Sequence, residues 1–315
     1  MIHRHLGLLG CNISYSRSKV IHLTSAHLLG LQDVSYLLLD MSGCDLSEVA
    51  HRLKVNHITG LNITTPFKHV TKVASLMDVV APTDFSCVNT ATLSVTAGKW
   101  HLDNTDGLGW LASMQQSEIC CESIKHIIFL GFGGATVGIL ETLKRKYLLS
   151  HSCALTGTAG ATLTDPLRIT ILWRQIHDGY HPNNYHQAFV SSFFSDPLPY
   201  SIHWQPFHVT SLLSALKLPV ATLLVQGTPL PHQGNAMTEF TEAIKVKNSH
   251  LIGCMDMTYA PPSDFLRYAE ENQIPFATGW DMLIAQAQAS QKSWWQQTPD
   301  THELKKTLKG SRAQP

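Results

Sequence analysis

Apolar and polar positions alternate along the first third of the chain in a way that predicts strands and helices in turn. Short apolar runs predict strands at residues 6–9, 34–39 and 58–63. Apolar residues spaced three and four apart predict helices at residues 18–29 and 45–53. Strands that alternate with helices usually form a mostly parallel sheet covered by helices. The pattern therefore predicts an α/β unit.

A second series of the same kind follows. Apolar runs predict strands at residues 124–130, 168–172, 220–225 and 251–257, with candidate helices between them. A turn signal at residues 104–107 precedes a helix-like stretch that marks the switch between the series. We expect a first domain at residues 1–112, a second at 113–279, and a helical segment at 280–315. That last segment could pack on either unit, and we expect it to return to the first.

Two stretches resemble insertions. Residues 148–166 are rich in Ser, Thr and Gly, and residues 178–206 are rich in His, Pro and Asn, so both are predicted to be surface loops. Histidines in and beside the second stretch raise the question of a metal site. Gly179 and Pro182 interrupt any helix that would align those side chains, and zinc sites usually show tighter ligand spacing. We predict no metal.

Composition excludes several classes of protein. The 315 residues are 44% hydrophobic and 15% charged, which is typical of a globular protein with large cores. Basic and acidic residues balance at 23 each and no basic run carries aromatics, so we expect no nucleic-acid partner. No apolar segment reaches the ~20 residues that span a bilayer, so we expect no membrane partner. Seven cysteines without CxxC spacing favour thiols in a reducing compartment, and we expect a cytoplasmic location.

A glycine-rich turn follows the first strand of the second unit. Apolar residues 127–130 lead into Gly131, Phe132, Gly133, Gly134 and Ala135, and then into a helical pattern. Such a strand, tight turn and helix can hold a pyrophosphate on the helix N-terminus. As a bare pattern, it also fits close packing of a strand on a helix.

Polar clusters occur at four strand ends or turns of the first unit, at residues 14–18, 62–68, 87–90 and 104–107. Ligands of open α/β sheets bind beyond the carboxyl ends of the strands. A polyhydroxylated acid requires such hydroxyl, amide and charged groups, because each buried ligand hydroxyl needs a partner. Each cluster alone fits an ordinary turn or cap. Their joint occurrence favours a binding site.

These motifs, in matching order from residue 7 to residue 295, resemble the shikimate dehydrogenase family. The most specific match is Asn62-Ile-Thr64-Thr-Pro-Phe-Lys68, on the family's Asn-x-Thr-x-Pro-x-Lys signature. The resemblance implies an α/β fold with an N-terminal substrate-binding domain, a Rossmann-type dinucleotide-binding domain, and a cleft between them. It also implies a cytoplasmic NADP-dependent oxidoreductase that interconverts 3-dehydroshikimate and shikimate, as a monomer or homodimer.

The resemblance assigns roles to residues of this chain. Lys68 and Asp106 are the catalytic pair that it implies, with Lys68 as proton donor. Without it, an ordinary surface lysine and a helix-capping aspartate would be the simpler interpretation. Ser16 and Ser18 are implied to hold the substrate carboxylate. The other substrate-binding residues implied are Asn62, Thr64, Asn89, Tyr259 and Gln286.

The cofactor half departs further from the family. The residues implied to bind the cofactor are Gly131, Gly133, Gly134, Ala135, Arg174, Thr228 and Gly279. Arg174 follows the second strand of this unit, where many NAD enzymes have an acid, and an arginine there favours the 2′-phosphate of NADP. By itself, a lone arginine at a strand end is more often a solvated charge.

Three alternatives remain open at the level of sequence. NAD could replace NADP as cofactor. A quinate/shikimate dehydrogenase or another paralogue would act on a related cyclic acid. A ligand-binding or regulatory homologue would keep the fold without turnover, although the presence of both Lys68 and Asp106 argues against that.

Overall fold

The computed structural model describes residues 3–45, 47–80, 85–152, 167–173, 200–228, 238–245, 250–259 and 263–310. Side chains are described within those ranges except at 147–152 and 200. The chain divides into two compact units, one of Met1–Gly109 with Leu283–Pro315 and one of Trp110–Met282. Within the described part of the chain, no helix is long and apolar enough to cross a membrane.

The first unit contains one five-stranded sheet. Its strands are β1 (His5–Gly10), β2 (Ser35–Asp40), β3 (Gly60–Ile63), β4 (Thr90–Ser94) and β5 (Lys99–Asp103). The order is β2-β1-β3-β4-β5, with β2, β1 and β3 parallel and the β4–β5 hairpin antiparallel. The amino-terminal part of this unit contains the helices α1 (Ser18–Leu28), α2 (Glu48–Val55) and α3 (Val70–Leu76), and α4 (Asp106–Gln116) begins in it. α2 begins three residues later than the sequence pattern predicts.

The carboxyl-terminal segment supplies part of the core of this unit. The helix α9 (Gly279–Trp295) ends with Trp294 and Trp295, which are buried against Leu6 and Ile13. Gly60 leaves room for this contact, since a Cβ there would lie 3.0 Å from the Trp294 ring. The last helix, α10 (Thr301–Gly310), buries Leu304 and Leu308.

The second unit contains a six-stranded, fully parallel sheet. Its elements are β6 (His126–Leu130), α5 (Gly134–Ser152), β7 (Leu167–Trp173), β8 (Tyr200–Pro206), α6 (Val209–Leu216), β9 (Thr222–Gln226), α7 (Thr238–Lys245), β10 (Leu251–Asp256), α8 (Asp264–Glu271) and β11 (Phe276–Thr278). The order β8-β7-β6-β9-β10-β11 is 3-2-1-4-5-6 in chain order, which is that of the Rossmann fold. Fully buried apolar strands such as β6 and β9 fit a sheet covered on both faces. The predicted α/β fold with a Rossmann-type unit is confirmed.

The two predicted insertions differ in part from the prediction. The loop predicted at 178–206 is wrong at its end, because residues 200–206 form the edge strand β8, paired in parallel with β7. The loop predicted at 148–166 is wrong at its start, because α5 continues to Ser152. β8 is an edge strand that is partly exposed to solvent, so it contains polar residues. A prediction based on buried apolar runs therefore did not identify it. The other residues of both stretches lie outside the described residues.

Candidate active site

Lys68 and Asp106 form a close ion pair in the first unit. Lys68 Nζ lies 2.6 Å from Asp106 Oδ2, and the side chains are 16% and 2% exposed. Lys68 belongs to the loop after β3, which contains the cis Thr65–Pro66 peptide, and Asp106 is the first residue of α4. Asp106 thus lies at a helix N-terminus, where the helix dipole interacts favourably with a carboxylate.

The Asn89 amide holds the other oxygen of Asp106. Asn89 Nδ2 donates to Asp106 Oδ1 at 2.9 Å, and the backbone N–H of Thr105 donates to Asn89 Oδ1 at 2.8 Å. Because a backbone N–H can only donate, the amide of Asn89 has a single acceptable orientation. Asn104 Oδ1 also accepts the N–H of Asp106 at 2.9 Å. The carboxylate is therefore fixed in position and orientation.

Ser16 and Ser18 lie together at the start of α1. Ser16 Oγ donates to Ser18 Oγ at 3.2 Å, and it accepts from the Ser18 N–H at 3.3 Å. Both residues follow β1 closely, so they lie at the carboxyl edge of the sheet. A helix N-terminus with two hydroxyls provides suitable donors for a carboxylate.

Asp40, which the sequence analysis missed, holds the loop that carries these serines. Its carboxylate accepts the backbone N–H groups of Asn12 and Ile13, each at 3.1 Å. Hydrogen bonds from the hydroxyl and N–H of Ser42, with those from Ile13 and Asn12, lower the pKa of Asp40 to about 2. An acid at the carboxyl end of β2, beside the end of β1, was the available signal.

Thr64 and Gln286 belong to the same unit, and Tyr259 to the other. The Thr64 N–H donates to Leu9 O at 2.9 Å, so the loop after β3 lies beside the end of β1. Gln286 lies on α9, and its Oε1 is buried with no hydrogen-bond partner among the described residues. Tyr259 follows β10 in the second unit. The structure thus places Gln286, but not Tyr259, in the unit of the ion pair.

Asn62 is enclosed by protein groups. Its Oδ1 accepts from His22 Nε2 at 3.0 Å and from Tyr36 Oη at 2.9 Å. Its Nδ2 donates to Ser290 Oγ at 3.1 Å and approaches Asn89 O at 3.4 Å. The sequence did not predict His22, Tyr36 or Ser290 as site residues. Only the polar character of His22 and Ser290 within amphipathic helices pointed to them.

The glycine-rich turn of the second unit has the geometry that a pyrophosphate site requires. Gly131 has φ +105°, and a Cβ there would lie 2.7 Å from Thr228 Cγ2. A Cβ on Gly133 would meet nothing within 4 Å, so the space beside it is open. Gly134 and Ala135 begin α5, whose first N–H groups have no partner within the helix. These residues fit a dinucleotide phosphate.

Gln226 closes the neighbouring turn that carries Thr228. Gln226 Oε1 accepts from the Thr228 N–H at 2.7 Å and from Thr228 Oγ1 at 2.8 Å, and Gln226 Nε2 donates to Thr228 O at 2.7 Å. The shikimate dehydrogenase family usually has Asn-x-Thr-Pro at this turn, where this chain has Gln226-Gly227-Thr228-Pro229. The longer amide of Gln226 bonds both to the backbone and to the hydroxyl of Thr228. The turn is ordered despite the departure from the family pattern.

Gly279 also occupies a position that only glycine fits. A Cβ there would lie 2.3 Å from Thr258 O and 2.5 Å from Met257 O. The start of α9 therefore lies directly against the backbone that follows β10. Any side chain at residue 279 would separate the two segments.

Three aromatic residues gather beside the glycine-rich turn. The Phe132 and Trp204 rings lie 4.9 Å apart, and Trp173 and Trp204 lie 6.1 Å apart, both pairs edge to face. Phe132 and Trp173 stand where the family usually has alanine and asparagine. Arg174 lies outside the described residues.

No three His, Cys, Asp or Glu side chains converge on a possible metal position among the residues that the structure describes. His177, His181 and His186, which raised that question in the sequence, lie outside them.

Comparison with known proteins supports the resemblance. Residues 8–90 match the family model of the shikimate dehydrogenase substrate binding domain. A shikimate dehydrogenase (NADP(+)) from Acinetobacter baumannii is 26% identical over 297 residues, covering 92% of this chain and 95% of the relative.

Solved structures share the fold. Shikimate 5-dehydrogenase from Listeria monocytogenes, in complex with shikimate and NAD, has a TM-score of 0.70 at 19% identity and covers 97% of this chain and 96% of its own. Quinate dehydrogenase from Corynebacterium glutamicum, in complex with NAD, has a TM-score of 0.69 at 20% identity and covers 98% and 99%. The resemblance of this chain to the shikimate dehydrogenase family, first drawn from its motifs, is therefore confirmed.

Proposed function

We propose that the protein is a shikimate dehydrogenase that reversibly reduces 3-dehydroshikimate to shikimate with NADPH. The observation that carries the proposal is the Lys68–Asp106 pair, joined at 2.6 Å and held by Asn89 within the unit that matches the substrate-binding domain. The cofactor assignment draws on relatives named for NADP(+). We propose that it acts in the cytoplasm, as a monomer or homodimer, without nucleic-acid or membrane partners.

Lys68 acts on the oxygen of the reacting carbon. When bound, NADPH would supply the hydride for C3, the carbonyl carbon of 3-dehydroshikimate. The Lys68 ammonium donates a proton to the oxygen as negative charge develops there, and solvent then reprotonates the amine. Asp106 holds the ammonium in place and can accept a hydrogen bond from the product hydroxyl. The reverse reaction uses neutral Lys68 as the base.

The remaining polar groups orient the substrate. Ser16 and Ser18 donate to the carboxylate, since their hydroxyls lie together at the N-terminus of α1. Gln286 Oε1, which has no hydrogen-bond partner within the described part of the chain, accepts from a ring hydroxyl, because a buried amide oxygen requires a donor. The other groups assigned to the ring and its hydroxyls are Thr64, Asn89 and Tyr259.

The second unit supplies the cofactor site. The turn from Gly131 to Ala135 receives the pyrophosphate, and Thr228 and Gly279 flank the dinucleotide. By its place in the sequence alone, Arg174 is proposed to pair with the 2′-phosphate of NADP. The absence of a second basic residue close behind it makes NAD the alternative cofactor.

Initial rates decide among the possible activities. The protein would be produced in a host that lacks its own shikimate dehydrogenase and then purified. We would measure initial rates of oxidation of shikimate and of quinate, each with NADP and with NAD. The proposal predicts the highest kcat/KM for shikimate with NADP. A Lys68→Ala preparation, purified in parallel, excludes a contaminating enzyme. Preference for quinate would identify the paralogue, and no turnover with any pair would identify a binding protein.

A further inference from the structure

A buried polar network lies behind the ion pair, in the first unit. Its side chains come from α1, β2, β3, the start of β4 with the residue before it, and α9. Only Asn62 and Asn89 were predicted to contact the substrate. Its members are His22, Tyr36, Asn62, Asn89, Thr90, Ser290 and Gln291. Among them, His22 and Tyr36 are each only 1% exposed.

The Asn62 amide has one orientation only. Its Nδ2 faces Asn89 O, which can accept but not donate, so the oxygen of the amide must lie on the opposite side. There the oxygen meets His22 Nε2 and Tyr36 Oη, at 3.0 and 2.9 Å. Two donors occupy both of its lone pairs. Asn62 therefore has no free acceptor position for a substrate hydroxyl.

This orientation fixes the tautomer of His22. Nε2 must carry a hydrogen, because it faces the Asn62 oxygen. Burial lowers the pKa of His22 to about 3, against the opposing effect of the Asn62 hydrogen bond, so the ring is neutral at pH 7. Nδ1 is then an acceptor, and Gln291 Nε2 donates to it at 3.1 Å. The ring also stacks on Tyr36, with centroids 4.9 Å apart.

The network reaches the ion pair through hydroxyl groups. Asn62 Nδ2 donates to Ser290 Oγ, which lies 2.8 Å from Thr90 Oγ1. Thr90 Oγ1 in turn lies 3.1 Å from Asn89 Oδ1 and can donate to it. Asn89 is the residue that holds the Asp106 carboxylate. Ser290 Oγ also lies 3.1 Å from Gln286 O. When the Ser290 hydroxyl donates to Thr90 Oγ1, the nearer of the two acceptors, a continuous series of hydrogen bonds joins His22 to Asn89 and Asp106.

We propose that His22 is a positioning residue, whose Nε2–H fixes the Asn62 amide and, through Ser290, Thr90 and Asn89, the orientation of Asp106. The inference rests on the proposed function, since it assigns His22 to the same site. By this proposal Asn62 positions Asp106 instead of binding the substrate, which is the role that the sequence resemblance implied for it. A polar group with its hydrogen bonds satisfied can specify one arrangement of a buried site.

Two substitutions test whether the effect of His22 depends on its N–H donor or on the volume of its ring. His22→Gln retains an N–H that can reach Asn62, and His22→Leu keeps apolar volume without a donor. Because small displacements of reacting groups cost up to about 100-fold in rate, we expect His22→Leu to lower kcat by roughly 10-fold or more with a smaller change in KM. We expect His22→Gln to stay within about threefold of the parent, as its donor replaces Nε2–H.

A buried histidine of the other unit provides the matched control. His126 is fully buried at the start of β6 and lies 2.8 Å from Thr170 Oγ1. His126→Leu tests for loss of stability without a positioning effect, so its kcat per folded molecule should match the parent. Thermal unfolding of each variant measures the folded fraction.

Two further measurements apply even if His22→Leu does not fold. Tyr36→Phe removes the second donor to the same oxygen, and it should lower kcat more than it raises KM. Nitrogen-15 NMR of the histidines at pH 7 should show that Nε2 of His22 carries a hydrogen and that its Nδ1 is unprotonated. An Nδ1–H tautomer would overturn the proposal, as would equal kcat in His22→Leu and His22→Gln. Failure of the proposed function itself would appear as an inactive parent protein.

Discussion

The ammonium of Lys68 meets the carboxylate of Asp106 at 2.6 Å although 38 residues separate them in the chain. The loop after β3 carries the lysine and the start of α4 carries the aspartate. Asp106 is buried and Lys68 is partly buried, so water screens their interaction less than at the surface.

Lys68→Ala should lower kcat far more than it raises KM for shikimate. Loss of a positioned proton donor usually costs about 10²- to 10⁴-fold in rate. Steady-state kinetics with saturating NADP gives both constants. Lys72→Ala is the control, because Lys72 lies four positions later on α3 and its ammonium is 5.0 Å from the Phe67 ring centroid. An unchanged kcat in Lys68→Ala would remove the residue from the mechanism.

Ser16→Ala and Ser18→Ala should each raise KM for shikimate. Each removes a hydroxyl donor to a carboxylate, a bond worth roughly 1.5–3 kcal/mol, or about 10- to 100-fold in affinity. Calorimetric titration with shikimate checks the binding directly. Ser14→Ala, at an exposed position of the same loop, is the control. Parent-like binding by both variants would place the carboxylate elsewhere.

Gly133→Ala and Gly131→Ala should separate cofactor binding from folding. A methyl group at residue 133 meets no protein atom within 4 Å, so we expect the melting temperature to hold while NADP binding weakens, because the methyl group fills space intended for phosphate. At residue 131 the positive φ and the contact with Thr228 predict loss of stability as well. Differential scanning calorimetry and NADP titration test both statements. Full NADP affinity in Gly133→Ala would place the pyrophosphate away from this turn.

Acid should destabilise the protein through two buried histidines. Burial lowers the pKa of His22 to about 3 and that of His126 to about 4, with Arg168 and His203 adding to the effect at His126. Below pH ~6.5 these two histidines bind protons in the unfolded chain but stay neutral in the folded protein. The free energy of unfolding therefore falls as the pH falls. Each histidine should contribute up to about 1.4 kcal/mol per pH unit until its folded pKa is reached.

Denaturant unfolding at pH 7.5, 6 and 5 measures this effect. His22→Gln and His126→Gln should each flatten the dependence of the unfolding free energy on pH. His51→Gln, at an exposed position of α2, controls for the substitution itself. An unaltered slope in both buried variants would mean that other groups carry the acid sensitivity.

Sequence patterns located the fold well where strands are fully buried. The apolar runs that became β6, β7, β9 and β10 were identified because most residues of these strands are apolar and buried. The β4–β5 hairpin and β8 escaped prediction because polar residues alternate with apolar ones on half-solvated strands. Motif spacing likewise identified Lys68 and Asp106. It could not reveal their distance, which depends on how β3 and α4 are placed by the sheet.

The supporting residues were harder to find. His22 and Ser290 are isolated polar residues on helix faces, and such positions usually signify nothing beyond solvent exposure. Only the three-dimensional contacts show that both are buried and bonded to Asn62. Asn62 itself was predicted as a substrate ligand, and the structure shows its amide bonded to protein groups.

The return of α9 to the first unit has a consequence for biosynthesis. Domains commonly fold in the order in which they leave the ribosome. Here Leu6 and Ile13 pack against Trp294 and Trp295, which are translated only after the whole second unit. The contiguous unit of residues 110–282 can acquire its structure while the amino-terminal sheet still lacks part of its core. During synthesis, residues 110–282 should therefore become protease-resistant before residues 1–109, which should depend longer on chaperones.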